Sequence, residues 1–207
     1  LLNKMQKTVG IKKWMVAFGA LFLALTAQSQ ITSGRIVFER KTNLEKKFTD
    51  ERMKRWLGDN KSKIDLFELI FNDSMSIFIP IETNEMDKLS WATSKSTVLQ
   101  DFYQNTKLTV LDISGQKIYV TDSNVVRQWK LTESKRTINK YKCRKAVYEK
   151  NDSTRFYAWY AIEIVPSIGP EGFFGLPGAI LGLATEDGGI IYFAKDVEIK
   201  ETKPTDF

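Results

Sequence analysis

Few residues in this chain could carry out catalysis, and the types that are missing restrict its chemistry. None of the 207 residues is a histidine. This excludes Ser-His-Asp and Cys-His catalysis, histidine-ligated zinc or copper, and the usual proton shuttle near neutral pH. Cys143 is the only cysteine, so we expect no internal disulfide and a small buried hydrophobic side chain rather than a reactive thiol. We therefore predict no bound metal and no cofactor.

Two short patterns resemble catalytic motifs, but the local sequence favours turns in both. Residues 114–117 match S-x-x-K, whose chemistry needs a helix start, whereas their neighbours are typical of a hairpin. Glu186 and Asp187 are carboxylates of the kind that hydrolyse glycosides, yet adjacent residues in a hairpin point apart. The glycine-rich segment 169–178 lacks the phosphate-loop pattern and leads into a predicted strand. We predict no catalytic residue.

Aromatic and apolar residues are the best candidates for a ligand site. Trp159 and Tyr160 place rings on both faces of one predicted strand, where they either line a sugar or lipid site or pack in the core and at its edge. Phe173, Phe174 and Leu176 lie in the glycine-rich segment, either as an apolar lip over a cavity in the sheet or as a plug at one end of the core. These five are the candidate ligand-binding residues, and both interpretations stay open.

The N-terminal residues predict a cleavable secretory signal peptide. Four lysines precede an apolar run over residues 14–25, which is shorter than the roughly 20 residues that a bilayer span needs. Small residues follow, and we place cleavage after Ser29. The expected organisation is a signal peptide over residues 1–29 and a single domain over residues 30–207, exported to the periplasm or the extracellular space. Because the nearest cysteine is Cys143, we expect no lipid anchor at the cleavage site and no transmembrane segment after cleavage.

The distribution of charge argues against a nucleic-acid partner. The chain carries 31 lysine and arginine residues against 25 aspartate and glutamate residues, and four of the lysines lie in the predicted signal peptide. The remaining charges alternate in sign, as in Glu39-Arg40-Lys41, and form no basic stripe of the kind that binds nucleic acid.

Short runs with period-two alternation dominate the rest of the chain and predict a mainly β fold. One short N-terminal helix is predicted after Thr49, ending at Gly58. Tight-turn sequences between the runs favour a curved antiparallel sheet of about eight to ten strands. Residues 82–101 are predicted to be a long surface loop. Strands 155–164 and 179–185 are apolar on both faces and are predicted to form the centre of the sheet.

Several segments share their order and spacing with a known family. They include Arg127-Gln128-Trp129-Lys130-Leu131, Ala158-Trp159-Tyr160, Gly169-Pro170 and Gly175-Leu176-Pro177-Gly178-Ala179-Ile180. In these segments the chain resembles the GLPGLI family of exported proteins of Bacteroidota bacteria, with Ala179 in place of a leucine. Ile162 is a second departure, at a position where family members often have proline. The resemblance implies export, and it transfers no activity, because the function of the family is uncharacterised.

The hexapeptide Gly175–Ile180 also has a structural interpretation. Pro177 presets φ for the second residue of a turn, and Gly178 readily takes the positive φ of the third. We therefore predict a type II turn that leads into the strand beginning at Ala179.

Two functions from different classes stay open. The first is a non-catalytic binding or accessory protein of the periplasm or outer envelope, which holds an apolar small molecule or docks on an outer-membrane protein partner. The second is a hydrolase with a carboxylate-based, histidine-free site. The lack of a recognisable catalytic constellation favours the first. An apolar cavity on the concave face of the sheet would support binding, whereas closely spaced buried carboxylates would support hydrolysis.

Overall fold

A computed structural model describes residues 30–82, 87–113 and 115–207 of the chain. The predicted signal peptide, its cleavage site and Ser114 of the S-x-x-K pattern lie outside the described residues. In the part that is described, no helix is long and apolar enough to cross a membrane.

Antiparallel strands make up most of the described chain, which confirms the prediction of a mainly β fold. Their bounds are β1 (Gly34–Asn43), β2 (Ser62–Phe71), β3 (Met75–Pro80), β4 (Ser96–Asp101), β5 (Thr106–Ile113), β6 (Gln116–Ser123), β7 (Trp129–Ile138), β8 (Tyr141–Asn151), β9 (Thr154–Ala161), β10 (Ala179–Thr185) and β11 (Ile190–Ile199). They form one eleven-stranded sheet in the order β6-β5-β4-β3-β2-β1-β11-β10-β9-β8-β7. Two meanders are therefore joined by the pairing of β1 with β11.

The predicted number of eight to ten strands was too low, because β4 lies in the segment predicted to be a long surface loop. β4 pairs with β3 and β5, and its residues Val98 and Gln100 are buried. Its alternation is short and contains a polar residue at a buried position, so it does not stand out from the polar sequence around it. A 3-10 turn at Ser90–Ala92 precedes the strand.

Two short helices follow β1, where the sequence predicted one. The first, α1 (Leu44–Lys47), is a single turn that is capped by the side chain of Asn43. The second, α2 (Glu51–Leu57), is capped by the Asp50 carboxylate and ends at Gly58 as predicted. A single turn contains too few residues to show a helical period, which explains why α1 was missed.

The sheet is open but strongly curved. β6 and β7 are its two edges, yet only residues 124–128 connect them. Eleven flat strands spaced about 4.8 Å apart would place the edges about 48 Å from each other. The connection spans at most about 20 Å. The sheet must therefore curl until its edges approach each other, which creates a deep interior on its concave side.

The connection between β9 and β10, residues 162–178, packs through this interior; we call it the interior segment. Ile164 and Ile168 of this segment are fully buried. Gly172 lies against Val98 of β4, although β4 and β9 belong to different meanders. Inward-facing residues of the sheet surround the segment, among them Ile36, Phe38, Phe67, Leu69, Phe71, Phe78 and Tyr192. The core is therefore built around a segment that has little regular structure of its own.

The centre of the sheet is β1, and the prediction that β9 and β10 form the centre is wrong. Five consecutive residues of β10 are nonetheless buried. The interior segment covers one face of β10, and on the other face Ile138, Trp159 and Phe193 close over Gly182. The apolar residues on both faces of β10 thus show that both faces are covered by other residues. They do not show that β10 lies at the centre of the strand order.

Candidate functional site

The inner faces of β1 and β2 change from apolar to charged toward the end of the sheet at α1. Along β1 the buried residues are Ile36, Phe38, Arg40 and Thr42, and along β2 they are Phe71, Leu69, Phe67, Asp65 and Lys63. Arg40 lies directly opposite Asp65 in the strand register. Charged side chains thus occupy positions that belong to the buried face of the sheet. We call Arg40, Lys63, Asp65, Thr93 and Glu171 the ionic cluster.

Asp65 lies at the centre of the ionic cluster, with a side chain that is 2% exposed. Its Oδ2 accepts hydrogen bonds from Arg40 Nη2 and from the Thr93 hydroxyl, both at 2.8 Å. Its Oδ1 lies 3.3 Å from Lys63 Nζ. Burial alone would raise the pKa of Asp65, but the hydrogen bonds from Arg40 and Thr93, together with the charges of Arg40 and Lys63, outweigh burial and lower it. Asp65 is therefore held in its ionised form.

Arg40 links Asp65 to the interior segment. Its guanidinium carbon lies 4.7 Å from the centre of the Phe67 ring, and its Nη2 also donates to the Ser94 carbonyl oxygen at 2.9 Å. Nη1 lies 3.5 Å from Glu171 Oε1. Nε is buried and has no hydrogen-bond partner in the described part of the chain. Arg40 is thus fixed by two carboxylates and one ring while one of its donors stays unused.

Glu171 reaches the ionic cluster from the interior segment. It lies in the 3-10 turn Pro170–Gly172 with a φ of 52°, in the left-handed region that a non-glycine residue rarely adopts. The Tyr192 hydroxyl donates a hydrogen bond to the Glu171 carboxylate. Burial, followed by the charge of Glu171, raises the pKa of Tyr192 well above its ordinary value. The hydroxyl therefore keeps its proton and remains a donor to the Glu171 carboxylate.

A pocket of about 390 Å³ lies beside the ionic cluster, and we call it the end pocket. Three cationic residues (Arg40, Lys46 and Lys47), two carboxylate residues (Glu171 and Asp187) and three threonines contribute to its lining. Its volume falls within the range of small-molecule sites in proteins. These charged and hydroxyl groups stand beside apolar side-chain carbons, so the pocket fits a small ligand that carries a charged group.

Lys47 is a cation of the end pocket that forms no direct ion pair in the described ranges. Its ammonium donates to the Ala92 carbonyl oxygen at 2.7 Å. No carboxylate oxygen lies within 4 Å of it in the described ranges. Burial, followed by the positive charge of Arg40, lowers the pKa of Lys47, and Asp65 opposes this effect. The end pocket therefore contains positive charge that a bound anion would neutralise.

The five ligand residues predicted from the sequence do not line the end pocket. Tyr160, Leu176 and Phe174 are 2%, 3% and 9% exposed and belong to the core. Trp159 lies on the outer face of the sheet against Phe193. Phe173 packs against Trp129 and Phe156. Trp159 and Phe173 are thus both half-buried, but they pack against different rings.

The hexapeptide turn differs from the predicted type II turn. Gly178 N–H donates to the Leu176 carbonyl oxygen at 2.8 Å, which closes a tighter turn around Pro177. Ala179 N–H donates to the Ile164 carbonyl oxygen instead of closing a type II turn. Gly178 has a φ of 139°, and a Cβ atom there would lie 2.2 Å from the Ala161 carbonyl oxygen. Gly178 is therefore required by a close approach of two backbone segments as well as by its φ.

The other residues that the sequence singled out are not members of the ionic cluster, although Asp187 lines the end pocket beside it. Cys143 is buried, and burial raises the pKa of its thiol to about 11. Glu186 accepts a hydrogen bond from the Tyr157 hydroxyl at 2.7 Å, and Asp187 closes the turn before β11 through the N–H of Gly189. In the described ranges no group of three acidic or cysteine residues could hold a metal ion.

Sequence reasoning missed the ionic cluster, although a signal was present. Lys63 and Asp65 occupy the same alternate positions as Phe67 and Phe71, so the period-two pattern of β2 assigns all four residues to one face. Charged residues at buried positions of a strand are rare unless they are paired. The partner Arg40 could have been found only by knowing that β1 pairs with β2 in this register.

An open, curved antiparallel sheet with a pocket lined by charged residues at one end defines the architectural class of this protein. No protein-family model matches the chain, and no curated protein matches it. Two solved crystal forms of PNGF-II, in space groups C2 and P21, are similar in fold. The TM-scores are 0.58 and 0.57, the sequence identities are 16% and 15%, and the matches cover 84% of this chain. The chain spans about three tenths of the length of PNGF-II, with 29% and 30% covered; at this identity the likeness concerns the fold alone.

Proposed function

We propose that this protein is an exported, non-catalytic binding protein of the GLPGLI family that holds a small polar anion in the end pocket. One observation carries the proposal. Arg40 and Lys47 line the same pocket, and Lys47 has no carboxylate within 4 Å among the described residues. A carboxylate or phosphate group in the end pocket would supply the missing negative charge. The charged side chains in the lining lead us to propose a ligand with an anionic group in place of the apolar one expected from the sequence.

Export and family membership rest on the sequence. The lysines and apolar run before Ser29 have the pattern of a signal peptide. The order of segments from Arg127 to the hexapeptide resembles the GLPGLI family. We propose the periplasm or the outer envelope as the place where the ligand is bound.

The competing hypothesis, a carboxylate-based hydrolase, deserves comparison because Asp65 and Glu171 both contact Arg40. Hydrolysis of a glycoside by two carboxyl groups requires one of them to carry a proton, and hence a raised pKa. The pKa of Asp65 is lowered, so Asp65 is not the carboxyl group that carries the proton. Three cationic side chains, those of Arg40, Lys63 and Lys95, lie within 4 Å of it. Asp65 therefore has the properties of a structural counter-ion, which favours binding over catalysis.

The proposal can be tested by isothermal titration of the secreted protein with phosphate, citrate and glucuronate, with glucose as the neutral comparison. We expect at least one anion to bind and glucose not to bind. Lys47→Gln should lower the affinity for the anion by about tenfold or more, because it removes a charged hydrogen bond. Lys41→Gln removes the same charge from an exposed position on β1 and serves as the control. Equal affinities of both variants and the wild type, or no binding of any anion, would contradict the proposal.

A further inference from the structure

A second cation lies away from the end pocket, where the two edges of the sheet approach each other. Arg127 belongs to the connection between β6 and β7 and is half-buried. Its Nη1 donates to the Gly172 carbonyl oxygen at 3.1 Å. Its guanidinium carbon lies 4.0 Å from the centre of the Phe173 ring and 6.0 Å from that of Tyr148. Arg127 is thus held over aromatic rings at a fixed position.

The charge of Arg127 has no counter-ion in the described structure. No carboxylate oxygen of residues 30–82, 87–113 or 115–207 lies within 4 Å of its guanidinium. By contrast, Arg40 contacts Asp65 and Glu171, and the partly buried Arg35 contacts Glu68. Burial lowers the pKa of Arg127.

Two donors of Arg127 remain available to a ligand. Nε and Nη2 have no hydrogen-bond acceptor among the described residues and, unlike Nε of Arg40, they are not buried. These two groups form one edge of the planar guanidinium. Such an edge matches the two oxygen atoms of a carboxylate in a bidentate pair.

A cluster of aromatic rings adjoins the Arg127 guanidinium. The rings of Phe173, Phe156, Trp129 and Tyr148 form a continuous cluster, with neighbouring centroids 5.1 to 6.3 Å apart. Val126, beside Arg127, is 66% exposed and contributes further apolar surface. A ligand that matches both the free donors of Arg127 and the apolar surface beside them carries a carboxylate and an apolar chain.

We propose that Arg127 and the rings of Phe173 and Tyr148 form a binding site for an amphipathic carboxylate. The carboxylate pairs with Nε and Nη2 of Arg127, and the apolar chain lies along Phe173 and Val126. None of these residues lines the end pocket, so this site does not depend on the function proposed for that pocket.

Isothermal titration of the secreted protein with octanoate, 1-octanol and acetate tests both halves of the site. We expect octanoate to bind at least tenfold more tightly than 1-octanol, which lacks the charge, and than acetate, which lacks the chain. Lys47→Gln, which changes the end pocket, should leave octanoate binding unchanged. Equal affinities of the wild-type protein for octanoate and 1-octanol, or for octanoate and acetate, would overturn the proposal without recourse to any variant.

Variants then locate the site. Arg127→Met keeps the side-chain volume and should abolish the preference for octanoate over 1-octanol. Arg127→Lys keeps the charge but loses the planar edge, and we expect an intermediate loss of octanoate affinity. Arg144→Met removes an exposed arginine from β8 and should have no effect. An unchanged preference in Arg127→Met, or full affinity in Arg127→Lys, would show that the planar edge of Arg127 does not bind the carboxylate.

Discussion

Arg40 and Asp65 face each other across β1 and β2, with Nη2 and Oδ2 2.8 Å apart and side chains that are 6% and 2% exposed. This ion pair takes the place of apolar packing at the end of the sheet. A buried pair of this kind contributes little net stability against an apolar replacement, because both charges lose their hydration. Removal of one partner is costly, because the other charge remains buried and unpaired.

Replacement of Asp65 should therefore destabilise the fold more than the loss of an ordinary surface ion pair. We expect Asp65→Asn to lower the free energy of unfolding by about 3 to 5 kcal/mol in urea denaturation. Glu68→Gln breaks the pair with Arg35, which is more exposed, and should cost about 1 kcal/mol or less. Equal losses in the two variants would contradict a special role of the ionic cluster.

The same carboxylate should make stability depend on pH in the acid range. The pKa of Asp65 lies below its ordinary value of 3.8 in the folded state. The stabilisation is therefore complete well above pH 3.8 and is lost as the pH falls through 3.8 toward the folded pKa. We expect the difference in unfolding free energy between the wild type and Asp65→Asn to shrink as the pH is lowered from 5 to 2. Urea denaturation of both proteins at a series of pH values measures this difference. A constant difference would mean that Asp65 does not titrate with folding.

Gly178 offers a direct test of the hexapeptide. Gly178→Val should strongly lower the unfolding midpoint, because its Cβ would overlap the Ala161 carbonyl oxygen at 2.2 Å and its φ of 139° is unfavourable. Gly178→Ala should already be destabilising for the same reason. The control is Gly188→Ala, where φ is also positive but nothing lies within 4 Å of a Cβ, and where we expect a cost of about 1 to 2 kcal/mol. Similar melting temperatures of the two alanine variants would refute the importance of the close approach.

Phe174 separates the two interpretations of the aromatic residues before the hexapeptide. The side chain is 9% exposed and contacts Phe102, with ring centres 5.9 Å apart. If the ring fills the core, Phe174→Ala should lower the free energy of unfolding by about 3 kcal/mol or more. Tyr103→Ala removes a neighbouring ring that is 92% exposed and should have little effect. A stable Phe174→Ala protein with altered binding of an apolar dye would instead favour the interpretation of Phe174 as part of an apolar lip over a ligand cavity.

The predicted signal peptide can be tested on protein secreted by a host that exports it. We expect the mature N-terminus at or near Gln30, measured by mass spectrometry of the intact protein and of its N-terminal peptide. Retention of the apolar run over residues 14–25 would show that the run is not part of a cleaved signal.

The period-two pattern predicted most of the strands but missed β4. It succeeded where consecutive strands pair as hairpins, because such pairing leaves local signals in the turns. The pattern could not reveal that β1 pairs with β11, since Thr42 and Ile190 are far apart in sequence and share no local signal. For the same reason Arg40 could not be connected with Glu171, which reaches it from the interior segment. The turn type of the hexapeptide was wrong because the N–H of Ala179 is used by Ile164, a partner outside the turn.

The pairing of β1 with β11 also sets the order in which the chain can fold. The β1–β6 meander can form from local contacts, and so can the β7–β11 meander. The pairing of β1 with β11 requires closing a loop from Thr42 to Ile190, and this loop closure is entropically unfavourable. Until β1 and β11 pair, β1 presents the unpaired N–H and C=O groups of a sheet edge, with which strands of other chains can form hydrogen bonds. The topology therefore predicts slow folding and a tendency to aggregate during refolding, because its most central contact is also among its most non-local.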